Sequence, residues 1–351
     1  MRVNFDSPYK IDDGYGNSGE NILLALDKHP DINVFTSSNW KHTNPFGLLP
    51  RTIELYGRGF SNKADYSIRF SQPDSFTSAP KANRARIGWS MWEFTNLPKV
   101  WNPGINSIDA NFVPCKHNRQ LWLNAGCKKP VYTVNLGIDP NFFYYIEDGK
   151  FRVWPGTKNT DMFTFLIAGT LSSRKNPDMV YRTFERVFGD RKDVRLIIKS
   201  SKGLPFKSHP PKDNIIIINE SWVRTRYADL MRSADVFVYP TEGEGFGLSP
   251  VEAMAVGTTT ICTDWSGPAD YLDDEYAYKL NYTLGGSVGS HWGDKFGYAI
   301  PDEEHLAELM LYTFEHQDEA REKGRKAAKW ISQNLTWTHT ANRIHSILKT
   351  L

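Results

Sequence analysis

The sequence predicts an α/β protein made of two facing doubly wound domains. Short apolar runs alternate with helical patterns along most of the 351 residues, which is typical of parallel βαβ units with right-handed crossovers. The chain is longer than the size at which one hydrophobic core usually stops growing, so two domains are expected. Ligands of such sheets bind outside the carboxyl ends of the strands, so two facing domains would form one deep cleft.

In the first half of the chain, each predicted strand is a short apolar run and each predicted helix shows a period near 3.6 residues. The predicted strands are Arg2–Phe5, Ile32–Phe35, Tyr66–Phe70, Arg86–Met91, Ala110–Val113 and Val131–Val134, and the predicted helices include Gly19–Asp27 and Lys116–Ala125.

The alternation is clearer in the second half. The predicted strands are Phe163–Ala168, Val194–Ile198, Ile215–Ile218, Val236–Tyr239 and Thr259–Cys262, and the helices are Pro177–Phe188, Arg224–Arg232 and Leu248–Val256. From Pro301 the chain is predicted to be mostly helical, with a last helix at about Thr340–Leu351.

The polar segment Asn141–Asp161 has no clear period and reads as the connection between domains. We therefore expect a first domain over 1–145, a second domain over 146–335, and a C-terminal helix over 336–351 that could pack on either domain.

Composition excludes several classes of function. The net charge of +2 is too small to favour a nucleic-acid partner. The three cysteines form no CxxC pair, which fits a reducing compartment. The N-terminus lacks the apolar core of a signal peptide, and no apolar run approaches the roughly 20 residues that span a bilayer. We expect a cytoplasmic protein, and peripheral contact with the inner face of a membrane stays open.

The segment Glu244–Glu252 carries two carboxylates around a glycine-rich loop that follows a predicted buried strand and begins a helix. Such a spacing often arises by chance, and acidic residues are favoured near a helix N-terminus in any case. Here Gly245 and Gly247 permit close backbone approach. Beside an anionic ligand, carboxylates make sense as acceptors of hydrogen bonds from sugar hydroxyls.

A second loop, Gly169–Pro177, follows another predicted strand of the same sheet. Pro177 in the first turn and a solvated basic pair would explain it as an ordinary helix start. The alternative is a diphosphate site, in which Arg174 and Lys175 neutralise phosphate oxygens beside a helix N-terminus. This loop would then neighbour the Glu244 loop.

Two segments of the first half are weaker candidates. The glycine-rich segment Asp13–Glu20 lacks the context of a dinucleotide or P-loop motif, but Gly16 could approach a phosphate. Glu93 ends an aromatic-rich strand, where it is either part of a core edge or a base or sugar contact in the cleft.

Several motifs are missing from the sequence. It has no Asp-x-Asp pair after a strand and no HExxH. We therefore expect no metal site and no cofactor.

The block Ala234–Gly257, with its Glu244-x7-Glu252 pattern, resembles the signature of the retaining family 4 glycosyltransferases, which have the GT-B fold. Thr263–Leu272 is similar to the next segment of that family and Gly169–Pro177 to its phosphate loop. Ile87–Glu93 and Val134–Pro140 resemble pieces of its acceptor-side domain.

The resemblance implies that residues 1–145 form the N-terminal acceptor-side domain and that 146–335 form the nucleotide-sugar-binding domain, with a nucleotide sugar as co-substrate. It also implies that the helix over 336–351 crosses back to the first domain, and it implies roles for matching residues. Glu244 would contact hydroxyls of the donor sugar, Glu252 would hold the ribose, and Lys175 would bind phosphate. Thr170 stands where the family usually has an arginine, so Arg174 is the candidate for that charge. The other donor-binding residues implied are Gly16, Trp222, Val223, Gly245, Phe246, Gly247 and Leu248, and Glu93 is a candidate catalytic residue.

The implied reaction is a retaining, metal-independent transfer of a hexose-type sugar from a UDP- or GDP-linked donor to an acceptor hydroxyl of a glycan, a lipid-linked or another molecule. Three alternatives stay open. One is a GT-B sugar-nucleotide epimerase or phosphorylase, and another is a non-catalytic nucleotide-sugar or carbohydrate-binding protein. The third is a transferase that modifies DNA, which the weak charge disfavours. Acceptors would meet loops such as Lys41–Arg58 and Ser71–Arg84.

Overall fold

Two parallel β-sheets of six strands each form the framework of the chain in its computed structural model. The structure describes residues 1–9, 14–37, 48–147, 162–201, 203, 212–289 and 293–351. The predicted α/β fold with two doubly wound sheets is confirmed.

The strands of the first sheet are β1 (Arg2–Asp6), β2 (Asn33–Phe35), β3 (Tyr66–Phe70), β4 (Ala85–Trp89), β5 (Ala110–Val113) and β6 (Val131–Thr133). They lie in the order β2-β1-β3-β4-β5-β6, and neighbouring strands are parallel. The winding direction therefore changes at β1 and β3, which is the topological switch point of this sheet.

The helices that accompany the first sheet are α1 (Gly14–Lys28), α2 (Pro50–Tyr56), α3 (Asn102–Asn106) and α4 (Lys116–Asn124). Rings and aliphatic side chains fill the space between helices and strands, with Phe76, Trp101 and Trp122 among the fully buried ones. Much of the high aromatic content is thus accounted for by the core.

The strands of the second sheet are β7 (Phe163–Gly169), β8 (Val194–Ser200), β9 (Ile215–Asn219), β10 (Val236–Tyr239), β11 (Thr259–Thr263) and β12 (Tyr278–Leu280). They lie in the order β12-β11-β10-β7-β8-β9, and neighbouring strands are parallel. The central strands are buried on both faces, as parallel strands covered by helices must be.

The helices of the second half are α5 (Pro177–Phe188), α6 (Arg224–Ser233), α7 (Leu248–Ala255), α8 (Glu303–Glu315), α9 (Gln317–Asn334) and α10 (Trp337–Leu348). A separate two-stranded sheet is formed by β13 (Tyr282–Gly289) and β14 (Lys295–Pro301). Among the described residues, no helix is both long and apolar enough to cross a bilayer.

The chain divides into two compact units. The first consists of Met1–Gly137, Ser287–Gly297 and Leu335–Leu351, and the second of Ile138–Gly286 and Tyr298–Asn334. Helix α10 packs on α1 within the first unit. The domain limits expected from the sequence stay a prediction, because compactness alone does not show that a segment folds independently.

Most predicted elements agree with the structure to within two residues, and three differ in an informative way. The glycine-rich segment is not a loop, because α1 already begins at Gly14. Strand β4 ends at Trp89, since the Met91 N–H bonds the Tyr15 hydroxyl at 3.2 Å and not a neighbouring strand. Strands β12, β13 and β14 have no counterpart among the predicted elements.

Some predictions fall outside the described residues. These are Asp13 of the glycine-rich segment, residues 148–161 of the connecting segment and residues 41–47 of one candidate acceptor loop.

Candidate functional site

The candidate site lies at the switch point of the second sheet, where β7 and β10 are neighbours. Strands β8 and β9 continue the sheet on one side of this pair, and β11 and β12 continue it on the other. The chain crosses from β7 to β8 on one side and from β10 to β11 on the other. The loops after β7 and β10 therefore border a crevice at the carboxyl edge of the sheet. These are the two loops that carry most of the predicted site residues.

Hydrogen bonds tie the two loops together. The Glu242 N–H donates to the Arg174 carbonyl at 2.8 Å, and the Asn176 amide donates to the Pro240 carbonyl at 2.9 Å. Asn176 has a φ of 50° and directly precedes Pro177, the first residue of α5. This left-handed turn ends the first loop before α5 begins and lets its amide reach the second loop.

Glu244 is buried in a polar cage. Its Oε1 lies 3.1 Å from a guanidinium nitrogen of Arg174 and accepts a 2.9 Å hydrogen bond from the Tyr239 hydroxyl. The Glu244 N–H donates to Ser266 Oγ at 2.8 Å, which fixes the backbone. Burial acts to raise the pKa of this carboxyl, but Arg174, Lys175 and the Tyr239 hydrogen bond outweigh it, so the pKa is lowered. Glu244 is therefore held ionised.

Lys175 connects the two predicted carboxylates electrostatically. Its Nζ lies 5.6 Å from the centre of the Tyr239 ring, and its charge acts on both Glu244 and Glu252. Glu252 is 9% exposed, and burial raises its pKa to about 8 against the opposing effect of Arg224 and Lys175. The carboxylates thus differ: Glu244 is ionised by an ion pair, while Glu252 holds its proton near neutral pH.

Gly247 sets the start of α7. Its φ of 93° is a left-handed conformation that favours glycine, and a Cβ there would lie 2.7 Å from the Tyr271 hydroxyl. That hydroxyl donates to the Gly247 carbonyl at 2.9 Å, and the Tyr271 ring packs 5.5 Å from the buried ring of Phe246. This packing holds Phe246 and Gly247 in place just before Leu248, where the first N–H groups of α7 have no partner within the helix.

Cationic and aromatic side chains cluster at the end of β8 and after β9, at the same edge of the sheet. Lys199 is 3% exposed, and its Nζ lies 5.5 Å from the Trp222 ring and 5.2 Å from the Tyr227 ring. Burial lowers the pKa of Lys199 to about 8, with Glu220 opposing the shift and Arg226 adding to it. The Arg226 guanidinium lies 3.8 Å from the centre of the Trp222 ring.

The remaining predicted residues of the second unit lie along the same edge. Thr170 follows β7, and its hydroxyl lies 2.8 Å from Ser201 Oγ, so it adds no charge to the loop. Gly245 lies buried beside Glu244. Val223 precedes α6 and is 67% exposed.

Gly16 and Glu93 belong to the first unit. Gly16 is buried in the first turn of α1, and the neighbouring Tyr15 hydroxyl bonds Ser90 Oγ at 2.9 Å. Burial raises the pKa of Tyr15, and the charge of Glu93 adds to the shift. The start of α1 and the end of β4 thus meet at one edge of the first sheet.

Sequence reasoning missed four residues of this site: Tyr239, Lys199, Arg224 and Ser266. Lys199 could have been found from the sequence, because it lies near the end of the apolar run Val194–Ser200 and charged residues are rarely buried in a strand without a functional or structural partner. The roles of Tyr239 and Ser266 depend on tertiary contacts, which no local pattern encodes.

Comparisons with known proteins identify the family and the fold of the chain. The family model described as glycosyl transferases group 1 matches residues 151–330. The lipopolysaccharide core biosynthesis mannosyltransferase LpsB of Rhizobium meliloti is 44% identical over 198 residues, which cover 54% of this chain and 51% of that protein. A probable sucrose-phosphate synthase of Thermosipho melanesiensis is 18% identical over 242 residues, or 66% of this chain and 50% of that protein. The chain thus matches only about half the length of these curated relatives.

Solved structures share the fold over the whole chain. Sucrose-phosphate synthase of Thermosynechococcus elongatus has a TM-score of 0.71 at 14% identity, covering 100% of this chain and 98% of its own. HepE of Anabaena in complex with UDP has a TM-score of 0.71 at 12% identity, covering 100% of both chains. These likenesses identify the fold as GT-B. Because the family model matches at least half of the chain, the protein belongs to the glycosyl transferases group 1 family.

Proposed function

We propose that this protein is a retaining, metal-independent glycosyltransferase that moves a hexose-type sugar from a nucleoside-diphosphate sugar to an acceptor hydroxyl. The observation that carries the proposal is the joined pair of loops at the β7–β10 switch point, where Arg174, Lys175 and Glu244 meet. LpsB is named a mannosyltransferase and HepE was solved with UDP, which supports a nucleotide-sugar donor for this chain.

The cations of the first loop are suited to the donor diphosphate. Arg174 offers a planar fork for phosphate oxygens, while Lys175 is a compact point charge near both glutamates. The N–H groups at the start of α7 add a third source of positive potential. Together they would stabilise the charge that develops on the leaving diphosphate, which is the role of a divalent ion in metal-dependent transferases.

The two glutamates are suited to hydroxyl groups of the donor. Glu244 is ionised and rigidly held, so it can accept hydrogen bonds from the sugar. The proton on Glu252 near neutral pH lets its carboxyl group donate one hydrogen bond and accept another from the ribose diol. The half-buried Trp222 ring, with Lys199 Nζ 5.5 Å from its centre, would offer an aromatic face for the nucleobase.

In the proposed step, the bond between the anomeric carbon and the phosphate oxygen breaks with its electron pair going to the diphosphate. The acceptor oxygen bonds the same face of the sugar, and its proton passes to the departing phosphate oxygen. The anomeric configuration is thereby retained. Arg174 and Lys175 stabilise the leaving group, and Glu244 orients the sugar during the transfer.

A donor panel tests the proposal. The protein is incubated with UDP- and GDP-linked hexoses, with and without EDTA, and release of nucleoside diphosphate is followed together with the anomeric configuration of the product by NMR. We expect one donor class to be consumed equally with and without EDTA, with retention. Turnover that requires a divalent ion, or inversion of the anomeric carbon, would overturn the proposal.

A second candidate is a non-catalytic nucleotide-sugar-binding protein. One observation favours it: Thr170 supplies a neutral hydroxyl bonded to Ser201, where the family pattern usually has an arginine. This candidate predicts that a nucleotide sugar raises the melting temperature while no donor is consumed in the presence of any acceptor.

A further inference from the structure

Three potential metal ligands meet at one place in the first unit, although they are far apart in the sequence. His29 follows the last turn of α1, Asp31 lies in the turn before β2, and His345 lies on α10. Each offers one ligand atom, and the three atoms all lie within 4.8 Å of one another. The imidazole rings of the two histidines are tilted against each other with centroids 4.4 Å apart.

The arrangement leaves a buried nitrogen facing the cluster. His345 is 8% exposed, and its Nε2 atom is buried without a hydrogen-bond partner. The nearest carboxylate oxygen is Asp31 Oδ2 at 3.4 Å. Two ligand atoms at about 2.0–2.1 Å from a tetrahedral zinc ion lie about 3.3–3.4 Å apart. The Asp31–His345 pair thus already has the spacing of one edge of such a site.

The three ligands are attached to a stable frame. The Asn33 N–H donates to the Met1 carbonyl at 2.9 Å, which fixes the turn that holds Asp31 beside β1. The His29 N–H donates to the Leu26 carbonyl at 3.2 Å and so continues the end of α1. Helix α10 packs along α1 and positions His345. A metal site needs this kind of support, since ligands placed on rigid elements pay little entropy on binding.

We propose that His29, Asp31 and His345 form a binding site for a divalent transition metal of the Zn²⁺ class, with water as the fourth ligand. Two imidazoles and a carboxylate are ligands that Zn²⁺ accepts at tetrahedral geometry. The ion would link α10, near the C-terminus, to the end of α1. This site is distinct from the β7–β10 switch point, and the proposed transfer reaction does not involve it.

One ring nitrogen of His29 already has a hydrogen-bond partner within the cluster. Nδ1 of His29 accepts a 3.2 Å hydrogen bond from the Asp31 N–H in the metal-free protein. Ligation through Nδ1 replaces this bond, and ligation through Nε2 requires the ring proton to move to Nδ1.

The test uses the full chain without a histidine tag, treated with chelator and dialysed into metal-free buffer at pH 7.5. Zn²⁺ binding is measured by isothermal titration calorimetry, and Co²⁺ is used as the spectroscopic probe of the ligand field. The variants are His29→Ala and Asp31→Asn, because both side chains are at least partly exposed and their loss leaves the core intact. The control is His316→Ala, an exposed histidine stacked on Tyr312 in the second unit.

We expect one equivalent of Zn²⁺ to bind the wild type and the His316→Ala control equally and to raise the melting temperature of both. His29→Ala and Asp31→Asn should each weaken binding by at least about tenfold and abolish the visible Co²⁺ bands. Lowering the pH from 7.5 to 5.5 should weaken Zn²⁺ binding to the wild type, because a protonated imidazole cannot coordinate a metal ion. Absence of stoichiometric Zn²⁺ binding to the wild type, or equal affinity in His29→Ala, would overturn the assignment.

Discussion

The two sheets have the same doubly wound design, but their switch points differ in how charge is arranged. At the switch of the first sheet, Arg69 on β3 lies 2.5 Å from Asp6 on β1 and also donates to Ser75 and Ser78. At the switch of the second sheet, Glu244 shares its carboxylate among Arg174, Tyr239 and Thr241. The nearby Lys175 adds a second positive charge.

The difference in charge arrangement indicates which of the two sheet edges favours an anionic ligand. The Asp6–Arg69 pair balances its own charge, and the side chains of Asp6 and Arg69 are 4% and 13% exposed. The second edge places two cations and the start of α7 beside one ionised carboxylate, because Glu252 holds its proton near pH 7. The second edge therefore has the arrangement of charge that the proposed diphosphate site requires, and the Asp6–Arg69 pair does not.

The largest expected effect on stability concerns the Asp6–Arg69 ion pair of the first sheet. Arg69→Gln leaves Asp6 buried without its cation and should lower the free energy of unfolding by about 3 kcal/mol. The affinity for a nucleoside diphosphate should not change. Urea denaturation and calorimetric titration measure the two quantities. A large loss of nucleotide affinity in the folded variant would contradict the division of roles between the two edges.

Lys175→Ala should produce the opposite pattern. Removal of a charge that stabilises the leaving diphosphate should cost about 2–4 kcal/mol of transition-state stabilisation, a loss of roughly 30- to 1000-fold in kcat/KM. The matched control is Lys192→Ala, since Lys192 is a 74% exposed lysine of the same unit. Steady-state kinetics with the donor found in the panel provide the measurement. Equal losses in both variants would mean that Lys175 has no specific role.

Substitution of Glu252 should have a smaller effect on stability, and this effect depends on pH. Its pKa is about 8 in the folded protein, against about 4.3 in the unfolded chain. The unfolded state therefore releases this proton first, so the contribution of Glu252 to stability is present below about pH 4.3 and is lost as the pH rises to 8. Relative to wild type, Glu252→Gln should gain at least about 1 kcal/mol of stability between pH 5 and 8.

Urea denaturation of both proteins at pH 5, 6.5 and 8 tests this trend. Glu275→Gln is the control, because the Glu275 side chain is 67% exposed. For that variant the difference from wild type should stay constant with pH. A constant difference for Glu252→Gln as well would show that its carboxyl group titrates normally.

Thr170→Val should have the smallest effect. The Thr170 hydroxyl bonds Ser201 and carries no charge, so its loss should change kcat/KM less than about threefold and stability by about 1 kcal/mol. The kcat/KM of Thr170→Val is measured by steady-state kinetics and compared with that of Arg174→Gln. A larger loss in Thr170→Val than in Arg174→Gln would show that Arg174 does not replace the arginine of the family pattern.

The sequence predicted the central elements well because their signals are local. Pro177 at a first turn and Gly189 after the last one bound α5, and the apolar run Val236–Tyr239 is strand β10 as predicted. The exposed, glycine-containing strand Tyr282–Gly289 has neither apolar alternation nor a buried run, so the pattern rules did not detect it.

The candidate site was predictable where its chemistry is concentrated in one loop and not where it depends on tertiary contacts. Glu244 and Lys175 stand in recognisable segments. The cage around Glu244, the burial of Lys199 and the meeting of His29 with His345 arise from chain segments that the fold brings together. The roles of all the predicted site residues, including Gly16 and Glu93 of the first unit, stay predictions.

In the proposed function, the Arg174–Lys175 loop recognises the diphosphate of the donor. Calorimetric titration of UDP against UMP, and of GDP against GMP, into wild type, Arg174→Gln and Lys175→Ala tests this recognition. We expect the wild type to bind the diphosphate of its preferred base at least about tenfold more tightly than the monophosphate, and each variant to lose most of that preference. An undiminished preference for the diphosphate in both variants would show that the Arg174–Lys175 loop does not recognise the diphosphate.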